Sequence, residues 1–262
     1  MENSMRILNL NFHFNDFYKS LEAQGPKLLF LDYDGTLSPF HVEPKMATPY
    51  PGIIDLLNSI LENESVRLVI ITGRAVRDIQ PLLQLEQAVE IWGSHGRERL
   101  LPNGSHEQMH VSVQQQTGLD QGVTSVSKLE PLIVAEPKPG AVAFHWRSLK
   151  IEHVLQFETE LVNELNKIAA HHKLSVQTFN GGIELLIPGT DKGKAVHAVM
   201  KELLPDTSVA YLGDDLTDED AFRELKDKGL SVLVSPSLRK TRADLWIQPP
   251  EDLFWFLKKW VG

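Results

Sequence analysis

Two aspartates separated by a single residue, Asp32 and Asp34, close an apolar run, Leu28-Leu29-Phe30-Leu31, and are followed at once by Gly35, Thr36 and Leu37. Such a run reads as a buried strand that delivers acidic side chains to the edge of a sheet, where open α/β folds place their chemistry. Residues two apart on an extended chain point to the same side, so both carboxylates can face one pocket, one to attack and the other to handle a proton. Gly35 permits a sharp turn just behind them. A second acidic run, Gly213-Asp214-Asp215-Leu216-Thr217-Asp218-Glu219-Asp220, also follows an apolar strand-like segment. Placed at the same edge, the two runs bring five or more carboxylates together, and like charges at that range cannot all stay ionised without compensation. Hard oxygen ligands in this number predict Mg²⁺, with Asp214, directly after the strand and its glycine, as a ligand. Glu219 and Asp220 read instead as decoration of a helix's first turn, where negative charge suits the dipole.

Thr72 closes a third apolar run and offers a hydroxyl and backbone donors to a phosphoryl oxygen. Lys192, in Thr190-Asp191-Lys192-Gly193-Lys194, offers a cation at the head of a helix. Phosphoryl transfer needs such groups, because charge spreads over equatorial oxygens and catalysis is largely positioning and charge stabilisation. A P-loop is excluded: it requires glycine at 188 and a hydroxyl at 195, where the chain has Pro188 and Ala195.

The elements that must hold these residues follow from periodicity. Apolar spacing predicts an amphipathic lead-in to about residue 26, a strand over 27–31, a helix over 53–61, a strand over 66–71, a helix through Leu83 and a strand over 89–92. Between roughly Arg99 and Gly181 the rhythm changes to half-buried alternation at 109–113, 141–146 and 174–179, with a long helix at 151–170, which suits an inserted α+β segment on an antiparallel sheet. From Gly189 the strand and helix alternation returns: helix 192–204, strand 208–212, helix 218–226, strands 231–234 and 245–247, and a terminal helix 251–260. The parallel core is therefore split in sequence.

The chain of 262 residues, 42% hydrophobic and 23% charged, has the composition of an ordinary globular protein long enough for a core domain with a smaller insertion. It has no cysteine, which excludes thiol catalysis, disulfides and thiolate metal sites. A net charge of −9 argues against a nucleic-acid partner. No apolar run of 18 residues and no leader pattern is present, so a cytoplasmic protein with no membrane partner is expected.

Taken in order, Asp32-Tyr33-Asp34-Gly35-Thr36, Thr72, Lys192 and Gly213-Asp214-Asp215 resemble the haloacid dehalogenase (HAD) superfamily of phosphotransferases, and the position of the insertion resembles its C2-capped branch. Thr72-Gly73-Arg74, Gly93-Ser94-His95-Gly96, Asp191-Lys192-Gly193 and the run from Gly213 to Phe222 are similar to the trehalose-6-phosphate phosphatase family within that branch. So are Lys138, His145-Trp146-Arg147 and Gly181-Gly182-Ile183-Glu184-Leu185. Trp146 stands where the family has tyrosine, and Thr72 where it has serine. The resemblance implies an α/β fold: a Rossmann-like parallel-sheet HAD core at 1–100 and 182–262, with an α+β cap of C2 type at 101–181 that sets substrate specificity. It implies that Asp32 is transiently phosphorylated and Asp34 is the acid and base. Mg²⁺ would be held by Asp32, Asp34 through its carbonyl and Asp214, while Thr72 and Lys192 hold phosphoryl oxygens and Asp215 and Asp218 orient the metal shell and the lysine. Lys138, His145, Arg147 and Glu184, joined by His95 and Arg97, would recognise the sugar as the cap closes. The expected reaction is hydrolysis of trehalose 6-phosphate to trehalose and phosphate, in functional pairing with a synthase. Its rivals are phosphatases of glucosyl- or mannosyl-3-phosphoglycerate or of sucrose phosphate, a phosphohexomutase, and a phospho-accepting signalling domain.

Overall fold

The computed structural model describes residues 5–41, 43–146, 149–179 and 181–261. The chain forms two compact units, the first built from residues 1–107 and 191–262, the second from 108–190.

In the first unit the elements run β1 (Arg6–Ile7), α1 (Phe14–Glu22), β2 (Lys27–Leu31), α2 (Ile53–Leu61), β3 (Val66–Ile71), α3 (Val76–Leu83), β4 (Glu90–Gly93), β5 (Glu98–Leu100) and β6 (His106–Gln108). The second unit contributes α4 (Val113–Leu129), β7 (Val134–Lys138), β8 (Ala141–His145), α5 (Ile151–His172), β9 (Ser175–Phe179) and β10 (Gly182–Leu186). The chain then returns to the first unit with α6 (Lys192–Met200), β11 (Ser208–Gly213), α7 (Asp218–Leu225), β12 (Leu230–Val234), β13 (Leu245–Ile247) and α8 (Glu251–Lys258).

The first unit's sheet has the order β1-β13-β12-β11-β2-β3-β4-β5-β6. Its central strands, β13 through β4, are all parallel, while β1 and β5 flank them in antiparallel pairing. Alternation along each strand feeds two cores, as a period of two requires when both faces are covered. Leu29, Leu31, Leu68, Ile70 and Leu212 pack with α2, α3 and α8 on one face. Leu28, Phe30, Val69, Ile71 and Tyr211 pack with α6 and α7 on the other. Because β11, β2, β3 and β4 run the same way, the residues just past their ends, Asp214, Asp32, Thr72 and Ser94, share one edge.

The second unit is a four-stranded antiparallel sheet, β7-β8-β10-β9, with α4 and α5 packed on one face. Two expectations change here. Residues 109–113 do not form a strand: they lead into α4, whose start is set by a capping box in which Ser112 Oγ accepts from the Gln115 amide and the Gln115 side chain accepts from the Ser112 amide. The five-residue alternation was too short to compete with that cap. The junctions also lie further along the chain than 101 and 181. β5 and β6 extend the large sheet, and β10 pairs with β8 and β9 in the small one. Among the described residues, no helix is long and apolar enough to cross a membrane.

Candidate active site

β2 brings Asp32 out of the core with its side chain still buried, and β11 places Asp214 beside it. Carboxylate oxygens of Asp32, Asp214 and Asp218 lie within 4.8 Å of one another. Gly35 makes this packing possible. Its φ is +78°, and a Cβ there would stand 2.1 Å from Asp214 Oδ2. Gly213 has the same function on the other side, since a Cβ would lie 2.3 Å from Asp218 Cγ.

Lys192 opens α6 behind its N-cap, Asp191, and is buried. Its Nζ donates to Asp32 Oδ1 at 2.8 Å and to Asp218 Oδ1 at 2.7 Å. Asp218 has no oxygen to spare: Oδ1 also accepts from Tyr211 Oη, and Oδ2 accepts from the amides of Asp214 and Asp215 at 3.1 and 3.0 Å. It is the hub that orients the lysine and the turn, and the pair left facing one another is Asp32 and Asp214.

The positive charge of Lys192 does not offset the burial of that pair. Burial pushes the Asp32 carboxyl up to about 7 despite the opposing pull of Lys192. Burial, then the charges of Asp32 and Asp218, push Asp214 up to about 10. Burial works against the charge on Lys192, but Asp218 and Asp32 outweigh it and hold its pKa above the ordinary value. A buried and a half-buried carboxylate that resist ionising together, with only oxygen donors, fit a hard divalent cation that keeps several waters.

Asp34 faces a different partner. Arg74 grips its carboxylate bidentately, Nε to Oδ2 at 2.7 Å and Nη2 to Oδ1 at 2.6 Å, while Arg74 Nη1 donates to Pro44 O and the guanidinium lies over the Tyr33 ring. Thr72 is fully buried and its Oγ1 accepts from the Arg74 amide at 3.1 Å.

The turn after β4 carries Ser94 and His95 at φ of 51° and 56°, a left-handed pair of non-glycine residues of the kind that is retained where the surroundings demand it. The His95 amide donates to Thr72 O at 3.0 Å, and its ring packs so closely on Gly73 that a Cβ there would be 2.7 Å away. Arg97, also expected to touch substrate, is buried at 2% exposure and donates from Nη1 to Ser94 O, which makes it a brace for this turn. Glu98 adds a second brace, accepting from Ser94 Oγ and from the Val76 amide at the head of α3.

In the second unit, strand register puts Glu136, Ala143, Glu184 and Gln177 in one row across the sheet. The residues of Val142, Phe144, Ile183 and Leu185 belong to the helix-packed core, so this row lies on the other face. Lys138 Nζ is 3.8 Å from both Glu136 and Glu184, and His145 Nε2 donates to Glu136 at 2.7 Å. The Phe179 ring rests edge-on to His145, 5.4 Å between centroids. Trp146 turns inward and packs on Phe157, so that departure from the family pattern belongs to the core. Arg147 lies outside the described residues. Asp215 is exposed, its Oδ1 accepting the Leu216 amide.

Arg74, Tyr211, Glu98 and Glu136 were not among the sequence candidates. Arg74 was legible in principle, as the only cation in the Thr72-Gly73-Arg74 turn; Tyr211 reads as one more core aromatic, and nothing local marks Glu98 or Glu136.

Comparison with known proteins follows the same lines. A family model described as trehalose-phosphatase matches residues 30–245. A trehalose-phosphate phosphatase of Mycobacterium marinum is 32% identical over 241 residues, covering 85% of this chain and 59% of that protein. An uncharacterized glycosyl hydrolase of Mycobacterium tuberculosis is 30% identical over 244 residues, 88% of this chain but 18% of that protein. The chain thus spans well under two thirds of these curated relatives. Among solved structures, the C-terminal domain of the C. albicans trehalose-6-phosphate phosphatase superposes with a TM-score of 0.80 over 99% of both chains at 21% identity. A trehalose-6-phosphate phosphatase related protein gives 0.71 at 25% identity, over 88% of this chain and 96% of that one. A match over most of the chain, with the shared edge built as described, places the protein in the trehalose-phosphatase family, with a core of the haloacid dehalogenase fold.

Proposed function

We propose that the chain is a Mg²⁺-dependent phosphatase that hydrolyses trehalose 6-phosphate to trehalose and inorganic phosphate. The observation that carries the reading is Lys192 held between Asp32 and Asp218, with an Asp214 oxygen within 4.8 Å of both: the nucleophile has a cation and a second carboxylate beside it.

Asp32 attacks phosphorus through a carboxylate oxygen, forming an acyl-phosphate and releasing the sugar oxygen, which divides one difficult displacement into two easier ones. Asp34 gives a proton to that oxygen and then takes one from the water that attacks the acyl-phosphate. Arg74 holds Asp34 in place for both transfers. Lys192 and the Thr72 hydroxyl and backbone receive the charge that develops on the equatorial oxygens. Mg²⁺, held by Asp32, Asp214 and the Asp34 carbonyl, would neutralise the phosphate against the carboxylates. Asp218 fixes Lys192; Asp215, turned outward, is left without a part in the reaction.

The Glu136, Lys138, His145 and Glu184 face suits a neutral polyol, since among the described residues it alternates acceptors with donors and carries no surplus of cations for a substrate carboxylate. That favours trehalose 6-phosphate over glycosyl phosphoglycerates. We assign the second unit, residues 108–190, the choice of sugar. Phosphate release by the 262-residue chain from trehalose 6-phosphate, sucrose phosphate and glucosyl-3-phosphoglycerate is the deciding measurement. Trehalose 6-phosphate should be preferred by at least tenfold in kcat/KM, and Asp32→Asn should abolish turnover. Equal turnover in that variant, or preference for another of the three, would refute the reading.

A further inference from the structure

The segment between β12 and β13 carries an arginine with no part in the roles above. Arg239 Nε and Nη2 each donate to Asp214 O at 3.1 Å, and Nη2 donates to Asp215 O at 2.7 Å. The same two residues are held through their amides as well, both of which Asp218 Oδ2 accepts. Every main-chain polar group of residues 214 and 215 therefore has a partner, and the carbonyl half of that account is supplied largely by one guanidinium.

Arg239 is itself anchored. Its Nη1 donates to Glu219 Oε1, and the other Glu219 oxygen accepts the Arg242 amide at 2.8 Å. Glu219 is buried to 9% exposure, and so is not the solvent-facing helix decoration its position in the acidic run suggests. A lysine could match the charge of Arg239 but not its fork, because a single ammonium cannot span two consecutive carbonyls and a carboxylate in one plane.

The turn so clamped is the one that aims Asp214. The carboxylate sits at the end of a single side chain, so its position opposite Asp32 is only as well defined as the backbone at 213–215. We propose that Arg239, oriented by Glu219, is a positioning residue that fixes Asp214 opposite Asp32 and thereby sets the affinity of the pair for a divalent cation. The inference rests on the cation reading given under Proposed function. A pure brace between α7 and the 236–242 segment would affect folding and leave that affinity alone.

Calorimetric titration of Mg²⁺ into the chain, free of substrate, separates the cases, with Arg239→Gln, Arg239→Lys and Glu219→Gln compared with the parent protein and thermal unfolding followed in EDTA. The Mg²⁺ dissociation constant should rise about 10- to 100-fold in Arg239→Gln and Arg239→Lys, and less in Glu219→Gln, the scale expected when a group that orients a metal ligand is lost. The rate lost at low Mg²⁺ should return as Mg²⁺ is raised, with KM for p-nitrophenyl phosphate unchanged. Parent-like affinity in Arg239→Lys would overturn the proposal, even if Arg239→Gln fails to fold. No binding of Mg²⁺ by the parent protein would instead overturn the cation reading itself.

Discussion

Each side chain at the shared edge is defined by the partner that saturates it. Asp218 has four donors and is thereby removed from metal ligation, although it carries the same carboxylate as Asp214. Asp34 is held by the Arg74 fork, which makes a specific prediction about leaving groups. General acid assistance matters for an alkoxide-like sugar oxygen and little for nitrophenolate, which leaves unaided. Arg74→Gln should therefore lower kcat/KM for trehalose 6-phosphate by about 10²-fold while p-nitrophenyl phosphate hydrolysis falls less than about tenfold. Equal losses on the two substrates would reduce Arg74 to a structural brace. The raised carboxyl groups predict a pH dependence of stability. Asp32 and Asp214 hold protons more tightly in the folded protein than in the unfolded chain, so their contribution is full below about pH 4 and is lost as pH climbs through about 7 and on toward 10. Thermal midpoints in EDTA should fall from pH 5 to 9, Mg²⁺ should lessen the fall, and Asp214→Asn in EDTA at pH 8 should melt above the parent protein. A lower midpoint for that variant would contradict the charge-repulsion account.

At the scale of elements, the parallel strands were legible because an apolar run that stops abruptly at a polar or acidic residue beside a glycine has few other readings; Lys27–Leu31 and Val66–Ile71 end as their patterns predict, and Ser208–Gly213 runs one residue beyond its expected end. Helix α4 was not legible. Its sequence is rich in glutamine, serine and threonine and contains Gly118 and Gly122, which are poor helix formers. The structure supplies the reason for those glycines. A Cβ at Gly118 would stand 2.4 Å from His172 Cβ on α5, and one at Gly122 would stand 2.6 Å from Leu185 on β10. Propensity is sacrificed there for close packing of α4 on its neighbours. Gly118→Ala should thus destabilise the protein by about 1–3 kcal/mol in urea unfolding, although alanine is the better helix former. A stabilised variant would show that α4 can shift to accept the methyl group.

For the whole molecule, the chain divides into a unit whose sheet edge gathers the phosphoryl-handling groups and a unit whose sheet face gathers polyol-type groups, and the proposed function assigns chemistry to one and choice of sugar to the other. Glu184→Gln should then cut kcat/KM for trehalose 6-phosphate about 10- to 100-fold, the value of one hydrogen bond to a charged group, and leave p-nitrophenyl phosphate turnover within about threefold. A parallel loss on both substrates would remove the division of labour. The sequence by itself determined which groups the edge presents, because strand periodicity and the turn residues behind each strand place Asp32, Thr72 and Asp214 without reference to anything distant. Tertiary structure alone decided what those groups are joined to. Arg74 meets Asp34 across 40 residues, Lys192 meets Asp218 across 26, and Arg239 meets Asp214 across 25. Charge-assisted hydrogen bonds of this kind depend on side-chain reach and burial after the helices have docked, and no local pattern in the chain encodes them.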